Sequence, residues 1–201
     1  MPKSGSGGSY SAPEIRHLRQ RDSVETLGSS FNFIVTTFKG LEREAASECV
    51  SLLRELGDAG AAVTTTGIIG LVVGRTSLDP VGVVGRLKSL VEDEPSNVRL
   101  VLRFIPVEKV TEATPDAVKE KVTSLSGRIA EGDSYRVTVE KRHNDARSQS
   151  FIEAAASTVK RKVDLEAPDW VVLIEIIRDV AGVSVLRPGS VFSSLKAKRG
   201  D

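Results

Sequence analysis

At 201 residues and 21.6 kDa the chain exceeds the usual single-domain size of about 100–150 residues, so one large or two small domains are expected and a multi-domain machine is excluded. Hydrophobic residues make up 40%, enough for a core, while no apolar run approaches the roughly 20 residues of a membrane span, which excludes an integral membrane protein. Lys and Arg number 28 against 27 Asp and Glu, so no global charge draws the chain to nucleic acid or to a membrane, and any basic footprint must be local.

Residues 1–30 contain eleven Gly or Ser and few large apolar anchors. The segment reads as a flexible tail without the apolar core of a secretory signal, and a cytoplasmic location is expected. From Phe31 the chain alternates: Phe31, Phe33 and Val35 against Asn32, Ile34 and Thr36, the period of a strand. A helix follows with Leu41, Ala45, Cys49, Leu52 and Leu56 on one face and Gly57 as its stop. Cys49, the only cysteine, is expected as packing. Residues 62–66 and 68–73 read as two strands joined at Gly67. Asp79 and Pro80 then cap and open a helix through Val83, Val84, Leu87 and Val91. A strand carrying Val98, Leu100, Leu102 and Phe104 ends at Pro106. The order βαββαβ predicts a ferredoxin-like domain over residues 31–106.

Thr114, Pro115 and Asp116 form the start of a further helix, with Val118, Val122, Leu125 and Ile129 on its apolar face. Tyr135, Val137 and Val139 mark a strand. Ser150 to Glu153 reads as a capping box that opens a helix reaching about Val163. Trp170 to Ile177 is almost continuously apolar, as a central strand covered on both faces must be, and Val183 to Leu186 adds a short last strand. The class is therefore α/β (α+β), with a second, αβαββ domain over residues 107–190 and a basic tail over residues 191–201.

The near-neutral total conceals two cationic windows. Residues 136–162 hold Arg136, Lys141, Arg142, Arg147, Lys160, Arg161 and Lys162 against Glu140, Asp145 and Glu153. Residues 187–200 hold Arg187, Lys196, Lys198 and Arg199 and no acid. The segment KRHNDARSQ, Lys141 to Gln149, falls between a strand and a helix start, where exposed amides add to Lys141, Arg142, His143, Asn144, Arg147 and Ser148 in a combination suited to phosphate. Lys160, Arg161 and Lys162 admit a plainer reading as cations complementing a helix C-terminus. His143 has no nucleophile beside it in the sequence, so a phosphate or base contact is expected of it in preference to acid–base catalysis.

Catalytic signatures are missing. Gly67, Gly70 and Gly74 lie in an apolar strand region and not at a strand-to-helix turn. Ser193 and Lys196 match S-x-x-K without its companion motifs. No paired Asp, His or Cys spacing would hold a metal. Neither a cofactor nor a small-molecule substrate is expected.

The segments RVTVEKR (Arg136 to Arg142), FIEAAASTVKRKV (Phe151 to Val163), VDLEAPDWVVLIEI (Val163 to Ile176) and GVSVL (Gly182 to Leu186) resemble the THUMP domain, an RNA-binding module of tRNA-modifying systems. The likeness covers roughly residues 107–190, and the block before it looks like the ferredoxin-like domain that usually precedes THUMP. No catalytic domain follows within the chain, and VFSSLK (Val191 to Lys196) looks like the tail of stand-alone THUMP adaptors. That resemblance implies a non-catalytic tRNA-binding protein whose partner is an RNA cytidine acetyltransferase forming N4-acetylcytidine, with the module gripping the acceptor stem and CCA end. The RNA-contact set expected on this basis is the loop residues above with Lys160, Arg161, Lys162, Arg187 and Lys196. An alternative is a THUMP subunit of another tRNA-modifying enzyme, one for methylation or thiolation, lending His143 or Lys141 to catalysis. Only nine aromatics are present, and Phe192 alone stands outside the expected core as a stacking surface.

Overall fold

In the computed structural model, which describes residues 31–200, alternation builds β1 (Phe33–Thr36) with Phe33 and Val35 on one face and Ile34 on the other. The tail expected over residues 1–30 lies outside the described residues. Helix α1 (Glu42–Glu55) buries Ala45, Cys49, Leu52 and Leu53, and burial pushes the Cys49 thiol up to about 12, so it packs as a small apolar group. Strands β2 (Ala62–Thr65) and β3 (Leu71–Arg75) follow. Helix α2 (Pro80–Asp93) starts where Asp79 accepts from the Val81 and Gly82 amides at 3.3 and 2.9 Å.

The next strand, β4 (Arg103–Pro106), is shorter than the period-two pattern from Val98 predicts. The Glu48 carboxylate takes the amides of Arg99, Leu100 and Val101 at 3.1, 2.7 and 3.0 Å, so those donors go to a side chain and not to a ladder. The segment after residue 190 also departs from expectation. It is not a tail: β10 (Phe192–Ser193) pairs with β4, and a short helix, α5 (Ser194–Ala197), packs on α2. Phe192 is fully buried beside Phe104 in the core, which removes it as a stacking surface. The first sheet runs β10-β4-β1-β3-β2, all antiparallel, the ferredoxin-like order with one strand added.

The second half contains β5 (Lys109–Glu112), α3 (Pro115–Leu125), β6 (Ser134–Arg142), α4 (Ser148–Ala156), β7 (Lys162–Val163), β8 (Trp170–Ile177) and β9 (Val180–Leu186). Its sheet runs β5-β9-β8-β6-β7. Strands β6 and β8 are parallel because α4 crosses between them. The edge strands β5 and β7 were not legible in the pattern. Helix α4 opens two residues before the expected capping box. It ends at Ala156, where the Ser157 and Thr158 hydroxyls donate back to the Ala154 and Ala155 carbonyls at 2.7 and 2.9 Å.

Each sheet has one face covered by its own helices. Phe33, Val35, Phe104 and Phe192 meet α1 and α2, and Phe33 stacks on Phe104 with centroids 4.6 Å apart. Tyr135, Val172, Ile174 and Val183 meet α3 and α4. The remaining two faces pack on each other, with Ile34, Leu71 and Ile105 against Leu173, Ile177 and Leu186. Each such side chain contributes about 1.5–3 kcal/mol when fully buried.

At one end this apolar interface turns ionic. Arg103 on β4 donates from Nη1 to both carboxylate oxygens of Glu140 on β6, at 3.0 and 2.9 Å. Glu140 Oε2 also receives Arg142 Nη2 at 3.1 Å, and Arg142 Nη1 reaches Glu175 Oε2 at 2.7 Å. Glu175 is 1% exposed and its Oε1 has no hydrogen-bond partner among the described residues. Burial is the largest influence on Glu175 and, with the nearby Glu140 charge, outweighs Arg142 and Arg103, raising its pKa to about 7. Burial also works to raise Glu140, but Arg103 and Arg142 together hold it below the usual carboxylate range.

Two outcomes follow from this packing. A Cβ on Gly74 would stand 2.2 Å from Phe33 Cζ and 2.7 Å from the Ala62 carbonyl oxygen, so Gly74→Ala is expected to lower stability by about 1–3 kcal/mol or more, seen as a reduced denaturant midpoint. Folded Glu175 keeps its proton to about pH 7, while in the unfolded chain it releases it near the model-peptide value. The folded state therefore binds more protons between roughly pH 5 and 7, and this group's contribution to stability declines as pH rises, by up to about 1.4 kcal/mol per pH unit. Denaturation across that range should show the decline in the parent protein and a flattened slope in Glu175→Gln; equal slopes would remove the assignment.

Candidate nucleic-acid interface

The side-chain period of β6 decides which of its cations face solvent. Tyr135, Val137 and Val139 point toward α3 and α4, so Arg136, Glu140 and Arg142 point toward the first sheet. Arg142, expected in an exposed loop, is instead the last residue of the strand. Its side chain is 21% exposed and shared between Glu140 and Glu175. Those carboxylates use its charge, and this takes Arg142 out of the cations available to a ligand.

Beyond it the loop turns outward. His143 adopts a left-handed φ of 53° and is exposed, with no hydrogen-bond or ionic partner among the described residues. Asn144 pins the loop: its Nδ2 donates to the Arg178 carbonyl and its Oδ1 accepts from the Ala146 amide at 2.9 Å. The Lys141 ammonium donates to the Ala146 carbonyl across the loop while remaining exposed. Arg147 is exposed, precedes α4 as its N-cap and offers no side-chain cap. Its carbonyl accepts from the Ser150 amide and hydroxyl at 3.2 and 2.7 Å, and its guanidinium has no partner among the described residues. Ser148, half-buried, is the first helical residue. Glu153 does not close the expected capping box; it accepts from Gln149 Nε2 at 2.9 Å. The loop thus brings together Lys141, His143 and Arg147 at the carboxyl end of β6 and the uncapped start of α4, with Asp145 the one exposed acid among them.

The other expected contacts are placed elsewhere. Lys160, Arg161 and Lys162 lie beyond the end of α4, so they do not complement its last turn. Arg161 is structural: Nε donates to the Ile129 and Ala130 carbonyls at 3.0 and 2.8 Å, and Nη1 to the Lys160 carbonyl at 2.8 Å. Lys160 and Lys162 are exposed beside the edge strand β7. Arg187 lies over Trp170, 3.9 Å from the ring centroid, with Nη2 3.5 Å from Asp133 and Nη1 donating to the Asp169 carbonyl at 3.2 Å. Lys196 is exposed on α5, attached to the other sheet.

The sequence reading passed over Arg178, which takes φ 56° in the β8–β9 turn. Its amide donates to the Arg142 carbonyl at 3.0 Å, and its guanidinium lies 3.7 Å from where a Cβ on Gly67 would stand. The β8–β9 turn therefore lies against the Gly67 turn of the first domain. Glu175 was also missed, although a lone acid inside WVVLIEII signals a buried charge that needs a partner. Among the described residues no cluster of three or more His, Cys, Asp or Glu could hold a metal, and no helix is long and apolar enough to cross a membrane.

The THUMP domain family matches residues 107–186. No curated protein matches the chain. Among solved structures, PH1313 from Pyrococcus horikoshii Ot3 is similar at 15% identity and a TM-score of 0.58, over 78% of this chain and 55% of that one. TrmN from Thermus thermophilus is similar at 18% identity and a TM-score of 0.54, over 78% and 46%. A 4-thiouridine synthetase solved as an RNA complex with bound ATP is 16% identical over 82% and 42%, at a TM-score of 0.46. The chain spans about half the length of the first two. At these identities the likeness of PH1313 and TrmN concerns the fold. Strands β5 to β9 with helices α3 and α4 form a THUMP domain at residues 107–186.

Proposed function

We propose that this chain is a non-catalytic tRNA-binding adaptor of a tRNA-modification system, presenting tRNA to a partner RNA cytidine acetyltransferase that forms N4-acetylcytidine. The THUMP domain supports the tRNA part of this reading. The observation that carries it is the cluster of Lys141, His143 and Arg147 at the carboxyl end of β6, where the side chains of His143 and Arg147 have no partner among the described residues and the α4 amides have no side-chain cap among them. Folded RNA is held through phosphates and 2′-hydroxyls on its shape, and a rigid loop of cations against a helix start suits phosphate. Lys160 and Lys162 lie at the other end of β6, where β7 pairs with Ser134 and Tyr135, and are not part of this cluster. The likeness of Val191 to Lys196 to the tail of stand-alone THUMP adaptors supports the adaptor role and the acetyltransferase partner.

Binding of tRNA should weaken steeply with salt, because counterions are released as phosphates are neutralised. Arg147→Ala is expected to lower affinity for all tRNAs alike and to reduce the slope of log affinity against log salt by about one; titration by fluorescence anisotropy over a salt series measures both. Salt-insensitive binding, or none, would end the proposal. Nucleoside analysis of tRNA from cells lacking this chain tests the adaptor role: loss of N4-acetylcytidine is expected. Loss of a methylated or thiolated nucleoside in its place would favour the subunit of another modifying enzyme.

A further inference from the structure

Glu175 lies on β8 between Leu173 and Ile177, which share its face and pack against the first sheet. Its side chain is 1% exposed; Oε2 accepts from Arg142 Nη1 at 2.7 Å, and Oε1 has no hydrogen-bond partner among the described residues. A neutral carboxyl tolerates such an orphaned oxygen far better than a carboxylate does. Few charged groups face it. Its register partner on β6 is Glu140, and Arg142 follows on the same face of that strand. Arg103 reaches in from β4 to Glu140, and β9 opposes Glu175 with Gly182, which has no side chain. Burial outweighs the combined pull of these charges, so the Glu175 proton is held to about pH 7.

The cluster therefore sets two cations, Arg103 and Arg142, against Glu140, where burial is overcome by both of them and the group stays ionised, and against Glu175, which changes charge near neutrality. With Glu175 ionised the set is neutral and Arg142 is fully answered by carboxylates. With Glu175 protonated the set carries one positive charge. That charge falls to Arg142, the residue where β6 gives way to the loop of His143 and Arg147. Its side chain is still 21% exposed, and its carbonyl accepts from the Arg178 amide at 3.0 Å, which keeps its backbone at the loop. Glu175 thus decides whether the cation beside the loop is cancelled inside the protein or felt outside it. An anion at the loop feels the difference because the medium between them is protein and not bulk water.

We infer that Glu175 and Arg142 form a proton-operated switch on the RNA-binding loop: with the Glu175 proton in place Arg142 adds to the positive surface, and loss of the proton withdraws that cation, so RNA is held more tightly below neutral pH than above it. The inference rests on the tRNA-binding reading and adds its regulation. By linkage, RNA that prefers the protonated state draws a proton onto Glu175 as it binds.

The test uses the full chain with His143→Ala in every sample, because a histidine changes charge over the same range, and a tRNA transcript as the probe. Affinity at constant salt, read by fluorescence anisotropy, should fall about threefold or more between about pH 6 and pH 8. Glu175→Gln fixes the side chain neutral, so it should bind at the upper pH as tightly as the protein with Glu175 binds at the lower one, and lose most of the pH dependence. Thermal melts at each pH show that both proteins are folded. Should Glu175→Gln fail to fold, calorimetric titration of the His143→Ala protein in buffers of different ionisation heat takes its place: uptake of part of a proton per RNA near neutral pH is expected, and no uptake overturns the switch. Equal pH dependence with and without Glu175→Gln, or tighter binding at the upper pH, overturns the switch and leaves the binding reading in place. Absence of tRNA binding at every pH overturns the binding reading and the switch with it.

Discussion

Two sheets whose helices cover only one face each leave two apolar faces that must meet, and the packing of those faces sets everything at the candidate interface. Ile34, Leu71 and Ile105 can leave water only against Leu173, Ile177 and Leu186, so the ferredoxin-like unit and the THUMP domain cannot move independently without exposing that surface. The strand ends then fall in fixed relation. The β1 and β2–β3 tips of one sheet stand beside the β8–β9 turn and the β6 loop of the other. The ionic cluster of Arg103, Glu140, Arg142 and Glu175 forms where this contact gives way to solvent. A carboxylate as buried as Glu175 is costly to ionise, and burial accordingly raises its pKa to about 7 despite Arg142 and Arg103.

That cluster also shows why counting charge along a sequence overstates a binding surface. The window from Arg136 to Lys162 carries a clear excess of cations, yet the strand period sends Arg142 inward to two carboxylates and Arg161 folds onto backbone carbonyls. Of the cations near the loop, Lys141 keeps its ammonium in solvent at the end of β6 and Arg147 stands exposed just before the helix. Loops present charge for ligands because no ladder or core claims it first.

Where the code is local, the sequence was readable. Asp79 before Pro80 and Thr114 before Pro115 marked helix starts that the structure keeps. The apolar run at Trp170 announced a strand covered on both sides. Long-range competition hid the rest. Glu48 captures three amides about fifty positions away and shortens β4, which no pattern around Val98 could disclose. Phe192 read as an available aromatic because nothing nearby in sequence names Phe104 as its neighbour. The resemblance carried by VDLEAPDWVVLIEI located the THUMP domain, but it was silent on which of its cations are neutralised, since that depends on the partner sheet.

A rigid, two-domain ledge has a physical reason to suit RNA that another enzyme must reach. Phosphate contacts fix register and orientation without reading sequence, so an adaptor built from them presents many RNAs in one pose. The pose is kept only if the contacts themselves do not shift. Here the THUMP loop is pinned by Asn144 to the Arg178 turn, the tip after β1 is braced by Glu42, and an apolar cluster joins the two sheets. Because the THUMP loop and the first domain are coupled through buried surface, the loop keeps its place relative to the ferredoxin-like sheet.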